Sequence, residues 1–288
     1  MKLSIGIVGL PNVGKSTLFK ILTKQEVSIA NYPFVTIDPN IGVVPAPDER
    51  LAKVAAVICS KQVLPAVLEF VDIAGLVAGA HEGKGLGNQF LAHIREVDAI
   101  IHLVRVFKDP EIVHFEGAPD PIRDLDTILN ELKAKDETAK EKTNLLSSKP
   151  QLILLNGEAG DVDETLLAKI KSLNFPYLII NLKEGLHEES LTKIFESFQK
   201  LLDIITFFTA NENEARSWFV KRGIKAPRAA GVVHTDFETK FIRAEVINWQ
   251  KLLDAGGWAE AKQKGWLRLE GKDYAVQDGD VMVIRHGA

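Results

Sequence analysis

The chain opens on an apolar run, Leu3 to Val8, that passes without a break into Gly9-Leu10-Pro11-Asn12-Val13-Gly14-Lys15-Ser16. A strand, a glycine-bounded loop and a helix start over Lys15 to Thr23 is the order that a phosphate-binding loop requires. Farther on, apolar positions switch between strand-like runs and helical spacing. Ile41 to Val44 reads as an edge strand, Asp48 to Ser60 as a helix, Val67 to Asp72 as a strand ending in an acid, and Ala99 to Val106 as a buried strand. From Arg123 to about Ser147, Leu125, Ile128, Leu129 and Leu132 fall at i, i+3, i+4 and i+7 and predict one helix. Gln151 to Leu155 and Tyr177 to Asn181 supply the last core strands, and Glu188 to Leu202 a helix.

Near Ile205 the pattern changes. Ile204 to Thr209 reads as a strand, Asn213 to Arg222 as a helix, Phe241 to Ile247 as a strand, Trp249 to Lys264 as helical and Val281 to Ile284 as a closing strand. Short strands wrapping helices suggest a ubiquitin-like β-grasp module. The expected class is therefore α/β: a P-loop NTPase of the Ras-like G-domain type over residues 1–204, then a β-grasp domain over 205–288.

Composition narrows the classes. A chain of 288 residues suits two domains, and 46% apolar with 26% charged residues is ordinary globular protein. No run reaches the roughly 18 apolar residues of a membrane span, and the N-terminus enters a strand rather than a signal peptide. The expectation is a cytoplasmic protein without a membrane partner. The single cysteine, Cys59, cannot form an intrachain disulfide and reads as a buried packing residue. A net charge of −4 does not mark a nucleic-acid binder. Still, Arg216, Lys221, Arg222 and Lys225 lie among Trp218 and Phe219, a mixture that suits RNA phosphates and bases as well as a solvated basic face.

The chemistry gathers around the first loop. Gly9 and Gly14 let the backbone wrap a polyphosphate, so that the nucleotide-binding set is Asn12, Val13, Gly14, Lys15, Ser16 and Thr17. Lys15 adds a charge that also serves catalysis, and the Ser16 hydroxyl can reach Mg²⁺. Asn12 can offer an oxygen to a K⁺ ion lying between the phosphates. In the proline-punctuated stretch Asn31 to Asn40, Thr36 is either a second hydroxyl on Mg²⁺ or an ordinary loop threonine. Asp72 can hold a Mg²⁺-bound water, and Gly75 can offer its N–H to a γ-phosphate. Leu76 follows, where Ras-like hydrolases carry the glutamine that orients water, and leucine cannot do so. His81 and His114 sit on loops placed to approach the γ-phosphate, and His114 is the favoured substitute; His102 reads as a core histidine.

Gly9 to Ser16, Asn31 to Asn40, Val71 to Leu76 with Gly83 to Asn88, Asp109 to Asp124, and His234-Thr235-Asp236-Phe237 together resemble the YchF subfamily of Obg-like P-loop ATPases. The resemblance spans nearly the whole chain. It implies an ATPase with a hydrophobic residue, Leu76, in the glutamine's place, and Mg²⁺ held by Ser16 and Thr36. It also implies a C-terminal TGS domain, association with ribosomes through the large subunit, and a role in translation or stress regulation. Two departures stand out. A short connector, Asn144 to Pro150, replaces the family's long coiled-coil insertion. The family's base-selecting N-x-x-E becomes Asn156-Gly157-Glu158-Ala159, which leaves Asn156 and Glu158 as the base-contacting pair and ATP as the expected nucleotide, with GTP as the alternative. Two functional classes follow: a slow Mg²⁺-dependent ATPase, or a nucleotide-state sensor in which hydrolysis is incidental.

Overall fold

The computed structural model describes residues 3–23, 40–73, 86–114, 117–138 and 145–287. In chain order the first elements are β1 (Ser4–Val8), α1 (Lys15–Thr23), β2 (Ile41–Pro45), α2 (Glu49–Ile58), β3 (Gln62–Leu64), β4 (Val67–Asp72), α3 (Leu86–Glu96) and β5 (Ala99–Arg105). Next come α4 (Pro121–Thr138), β6 (Gln151–Asn156), α5 (Glu164–Ser172), β7 (Tyr177–Ile180) and α6 (Glu188–Leu201). The remainder holds β8 (Ile204–Ala210), β9 (Glu214–Lys221), α7 (Ala226–Val233), α8 (Thr235–Thr239), β10 (Phe241–Asn248), α9 (Trp249–Ala255), α10 (Trp258–Gln263), β11 (Arg268–Glu270) and β12 (Asp280–His286).

The chain divides into two compact units. The first, Lys2–Val44 with Val67–Leu202, is built on a sheet of order β2-β4-β1-β5-β6-β7. β1 runs parallel to β4 and β5, and β5, β6 and β7 continue in parallel. Every residue of β5 and β6 is buried, as central parallel strands covered on both faces require. One face packs Leu125 and Leu129 of α4 and Leu166 and Ile170 of α5 against Val104, Ile153 and Leu155. Phe195 of α6 meets Phe70 of β4 edge to face at 6.3 Å.

The second unit, Pro45–Ala66 with Asp203–Ala288, contains a sheet of order β11-β10-β12-β8-β9-β3. α2, α9 and α10 supply residues to the core on one side of it, and α7 to a separate core with Phe207, Val246 and Met282. α2 and β3 thus belong to this unit although they lie early in the chain.

Three expectations need correction. The stretch Asn213 to Arg222 is not helical: it is strand β9, antiparallel to β8 from Ile204↔Lys221 to Ala210↔Ala215. Ala215, Ser217 and Phe219 are buried at every second residue, with Val220 buried next to the last of them. Of the single helix expected from Arg123 to about Ser147, the described residues show α4 over Pro121–Thr138, whereas Leu146–Ser148 form a 3₁₀ turn. The Asp136 carboxylate ties that turn to α4, accepting from the Leu146 and Ser147 N–H groups at 2.9 and 2.8 Å. Just beyond, Lys149 Nζ donates to the carbonyls of Arg95 and Val97, closing the end of α3. Cys59 is exposed rather than packed: it is the C-cap of α2, with a left-handed φ of 58° that turns it off the helix.

Candidate nucleotide site

The carboxyl ends of β1, β4 and β5 lie side by side because those strands are neighbours in register, Ile7 beside Asp72 and Val8 beside His102. At Gly9 and Gly14 the backbone passes so close to its surroundings that a side chain would collide. A Cβ on Gly9 would stand 2.5 Å from the Leu103 carbonyl oxygen, and one on Gly14 2.7 Å from Asn156 Nδ2. Gly14 also takes a φ of 108°, which glycine alone adopts without strain.

Within the loop, Lys15 Nζ donates to the Leu10 carbonyl at 2.9 Å, and the Ser16 hydroxyl donates to Asp72 Oδ2 at 3.4 Å. Burial lowers the Lys15 pKa, with the Asp72 charge opposing it. Burial raises the Asp72 pKa, against the opposing pull of Lys15 and Ser16. Each charge is held with less solvation than it has in water, so a polyphosphate at Lys15 and a divalent cation at Asp72 would each offset a desolvation cost. A hydroxyl and a carboxylate are hard oxygen donors, and Mg²⁺ is commonly bound by one or two protein oxygens together with substrate phosphates. The donor set fits that ion. Among the described residues, no group of three or more His, Cys, Asp or Glu gathers into a protein-only metal cage. Thr36, Gly75, Leu76 and His81 lie outside the described residues.

Asn12 holds a φ of 62°, and its Nδ2 donates to the Val113 carbonyl at 3.1 Å. With the nitrogen committed there, Oδ1 is the atom that can turn toward a cation. Val113 belongs to a segment anchored by a residue that the sequence pattern does not single out. Arg105 ends the apolar strand β5 and is only 1% exposed, yet its guanidinium donates to the carbonyls of Phe107, Ile112 and Asp109 at 3.2, 3.0 and 3.0 Å. The same cation lies 4.4 Å from the Phe107 ring centroid. A cation closing a mostly apolar strand is the sequence signal for this anchor.

His114 does not face the cavity. Its Nε2 lies 2.8 Å from Asp124 Oδ2, and both side chains are 2% exposed. The ring is turned toward the first turn of α4, where Asp124 lies.

At the opposite end, Asn156 braces two loops: Nδ2 donates to the Val13 carbonyl at 2.9 Å, and Oδ1 accepts from the Leu182 N–H at 3.1 Å. Glu158 accepts from Asn181 Nδ2, while its own N–H donates to Asp161 at 2.9 Å. Asn12, Gly14, Lys15, Ser16, Thr17, Phe107, Asn156, Glu158, Asn181 and Lys183 all line one cavity of about 650 Å³. That volume is in the range of small-molecule and cofactor sites. Val13 contributes its carbonyl to the Asn156 brace.

A family described as 50S ribosome-binding GTPase matches residues 4–156, and a family named YchF-GTPase_C, described as a protein of unknown function, matches residues 204–287. The ribosome-binding ATPase YchF of Bacillus subtilis (strain 168) is 40% identical, with 99% of each chain covered. Obg-like ATPase 1 of Gallus gallus is 35% identical over 98% of this chain and 92% of its own. The solved structure of the Schizosaccharomyces pombe YchF GTPase superposes with a TM-score of 0.80 at 33% identity, covering 99% of this chain and 98% of that one. The Bacillus alignment runs over 363 positions against a chain of 288 residues, so at least 75 positions have no counterpart here. That deficit agrees in sense with the short connector after α4. A phosphate loop set against a strand-end aspartate, on a fold shared along its whole length with these relatives, settles the lineage: the chain belongs to the YchF subfamily of Obg-like P-loop ATPases.

Proposed function

We propose that the chain binds ATP with Mg²⁺ in this cavity, hydrolyses it slowly by in-line attack of water, and couples its nucleotide state to ribosome association in the cytoplasm. The observation that carries the proposal is the convergence of Lys15, Ser16 and Asp72 at the adjoining ends of β1 and β4. The backbone of residues 12–17 would cradle the phosphates, and Lys15 would exchange the Leu10 carbonyl for a phosphate oxygen. Ser16 and Thr36 would hold Mg²⁺ directly and Asp72 through a water, while Gly75 would meet the γ-phosphate. The ion's part is to neutralise charge that builds on the transferred group. Asn12 Oδ1 would add an oxygen to a K⁺ ion, a reading supported by the commitment of its Nδ2 to the Val113 carbonyl. Leu76 gives the water no partner, so we assign its placement to His114, once that ring leaves Asp124. Among the described residues, no helix is long and apolar enough to cross a membrane.

At the base end, a carboxylate at position 159 would be needed to accept two guanine N–H groups, and Ala159 has none. Glu158 and Asn181 are the polar pair left to meet adenine. Competition of unlabelled ATP and GTP against a fluorescent ATP analogue, in Mg²⁺ and K⁺, tests this. ATP tighter by tenfold, about 1.4 kcal/mol, supports it; equal or tighter GTP binding removes the adenine assignment.

The ribosomal part rests on relatives named for ribosome binding and on the family described as 50S-binding, which points to the large subunit. We read the C-terminal unit as a TGS, β-grasp domain. Parallel pairing of β8 with the last strand, β12, supports this. The Arg216 guanidinium 4.3 Å from the Trp218 ring supports RNA contact. A sensor with incidental turnover is the second reading, favoured by Leu76 and by the burial of His114. Turnover measured with and without ribosomes separates the two, since stimulation belongs to a regulated enzyme.

A further inference from the structure

The pairing of His114 with Asp124 bears on that slow rate, and we infer that it is a latch: Asp124 withholds His114 from the nucleotide, and turnover requires the pair to open. The inference rests on the reading of His114 as the residue that places water. Three observations support a latch rather than simple packing. First, the residue before His114 already touches the phosphate loop, since the Val113 carbonyl accepts from Asn12 Nδ2 at 3.1 Å. The ring is therefore close to the site yet points away from it, 2.8 Å from a carboxylate and buried with it. Second, Asp124 is on a fixed support. It lies in the first turn of α4, where Asp120 Oδ1 accepts from the N–H groups of Ile122 and Arg123 at 3.2 and 3.1 Å. A carboxylate accepting from an imidazole N–H makes a charge-assisted hydrogen bond. Third, Arg105 fixes the chain through Ile112 by three carbonyl contacts, so the anchored stretch stops just short of His114. Gly117, with a φ of 87°, donates its N–H to the His114 carbonyl at 3.3 Å. Asn12 links the phosphate loop to the residue beside the latch, which gives nucleotide and monovalent cation a route to it.

Asp124 is thus a positioning residue, acting through His114. The test is single-turnover ATP hydrolysis by the full chain in Mg²⁺ and K⁺ without ribosomes, comparing Asp124→Asn, His114→Ala and the double variant with the unsubstituted protein. The latch predicts a rise of about tenfold for Asp124→Asn, the factor carried by one charge-assisted hydrogen bond. It also predicts a fall for His114→Ala and a double variant no faster than His114→Ala. An Asp124→Asn rate at or below the unsubstituted rate, with His114→Ala still slow, overturns the latch and leaves the water-placing role standing. A rise that survives in the double variant overturns it as well, because the effect would not pass through His114. An unchanged rate for His114→Ala removes the underlying role and the latch together. Should Asp124→Asn fail to fold, imidazole ¹⁵N–¹H spectra of the unsubstituted protein decide. The Asp-bonded Nε2–H signal should disappear on adding a non-hydrolysable ATP analogue with Mg²⁺, and its persistence overturns the proposal.

Discussion

Acid should weaken the nucleotide-binding unit through one residue, His102. This histidine sits in β5 between Val8 of β1 and Ile153 of β6, fully buried. Burial pushes its pKa down from 6.5 to about 4. In the folded chain the ring therefore stays neutral well below pH 6, while in the unfolded chain it takes up a proton near 6.5. Between those values the unfolded state binds more protons, so stability falls as pH falls from 6.5 through about 4, and His102 contributes no pH dependence above that window. At 1.36 kcal/mol per pKa unit, the gap amounts to about 3 kcal/mol. Against a typical total of about 5–15 kcal/mol, that loss is large. His102→Leu removes the titration while keeping an apolar filler. The four tryptophans, Trp218, Trp249, Trp258 and Trp266, all lie in the second unit, so their fluorescence does not follow this one. Hydrogen exchange of the β1, β5 and β6 amides, read from pH 7 to 4, does. The unsubstituted protein should lose about 3 kcal/mol more than the variant across that range. Equal losses in the two would refute the assignment, since all other acid-sensitive groups are common to both.

Asn156→Ala should lower both the unfolding midpoint and ATP affinity, because it leaves the Val13 carbonyl and the Leu182 N–H without their partner, a cost of about 1–3 kcal/mol. Unchanged melting would mean that the brace bears no load. Lys149→Met should speed amide exchange in the last turn of α3 by exposing the carbonyls of Arg95 and Val97, with about 1 kcal/mol lost locally; unaltered exchange would count against the cap. In the second unit, burial, with the Asp280 carboxylate 2.6 Å away, raises the Tyr274 hydroxyl from 10.0 to about 12. A raised acid stabilises the fold below pH 10 and loses that contribution as pH rises through about 12. Tyr274→Phe should lack this alkaline step in urea titrations, and a step of the same size in the variant would assign it to another group.

The nucleotide-binding sheet was legible because its signals are local. An apolar strand, two glycines and a helix start sit side by side in Leu3 to Thr23, and Asp72 closes its own strand. What escaped was set by partners far away in sequence. The stretch Asn213 to Arg222 reads as a helix by itself, but pairing of β9 with β8 and with β3, some 150 residues earlier, fixes it as a strand. β3 itself is three residues long and has no pattern of its own. Cys59 looked buried because its neighbours are apolar, yet the helix ends under it in a left-handed turn. At the site, Lys15, Ser16 and Asp72 followed from motif spacing, whereas Arg105 and the facing of His114 depend on where three carbonyls and one carboxylate lie in space.

The Asp136 carboxylate has a consequence for how such proteins diversify. By gripping Leu146 and Ser147 from the end of α4, it holds together the two mouths of the segment between them, whatever that segment contains. Closing a longer excursion across mouths already joined costs only about 0.6 kcal/mol for each doubling of its length. The position is a splice port: a self-supporting cassette can be carried there, trimmed or exchanged, by evolution or by design, while the sheet that binds nucleotide keeps its register.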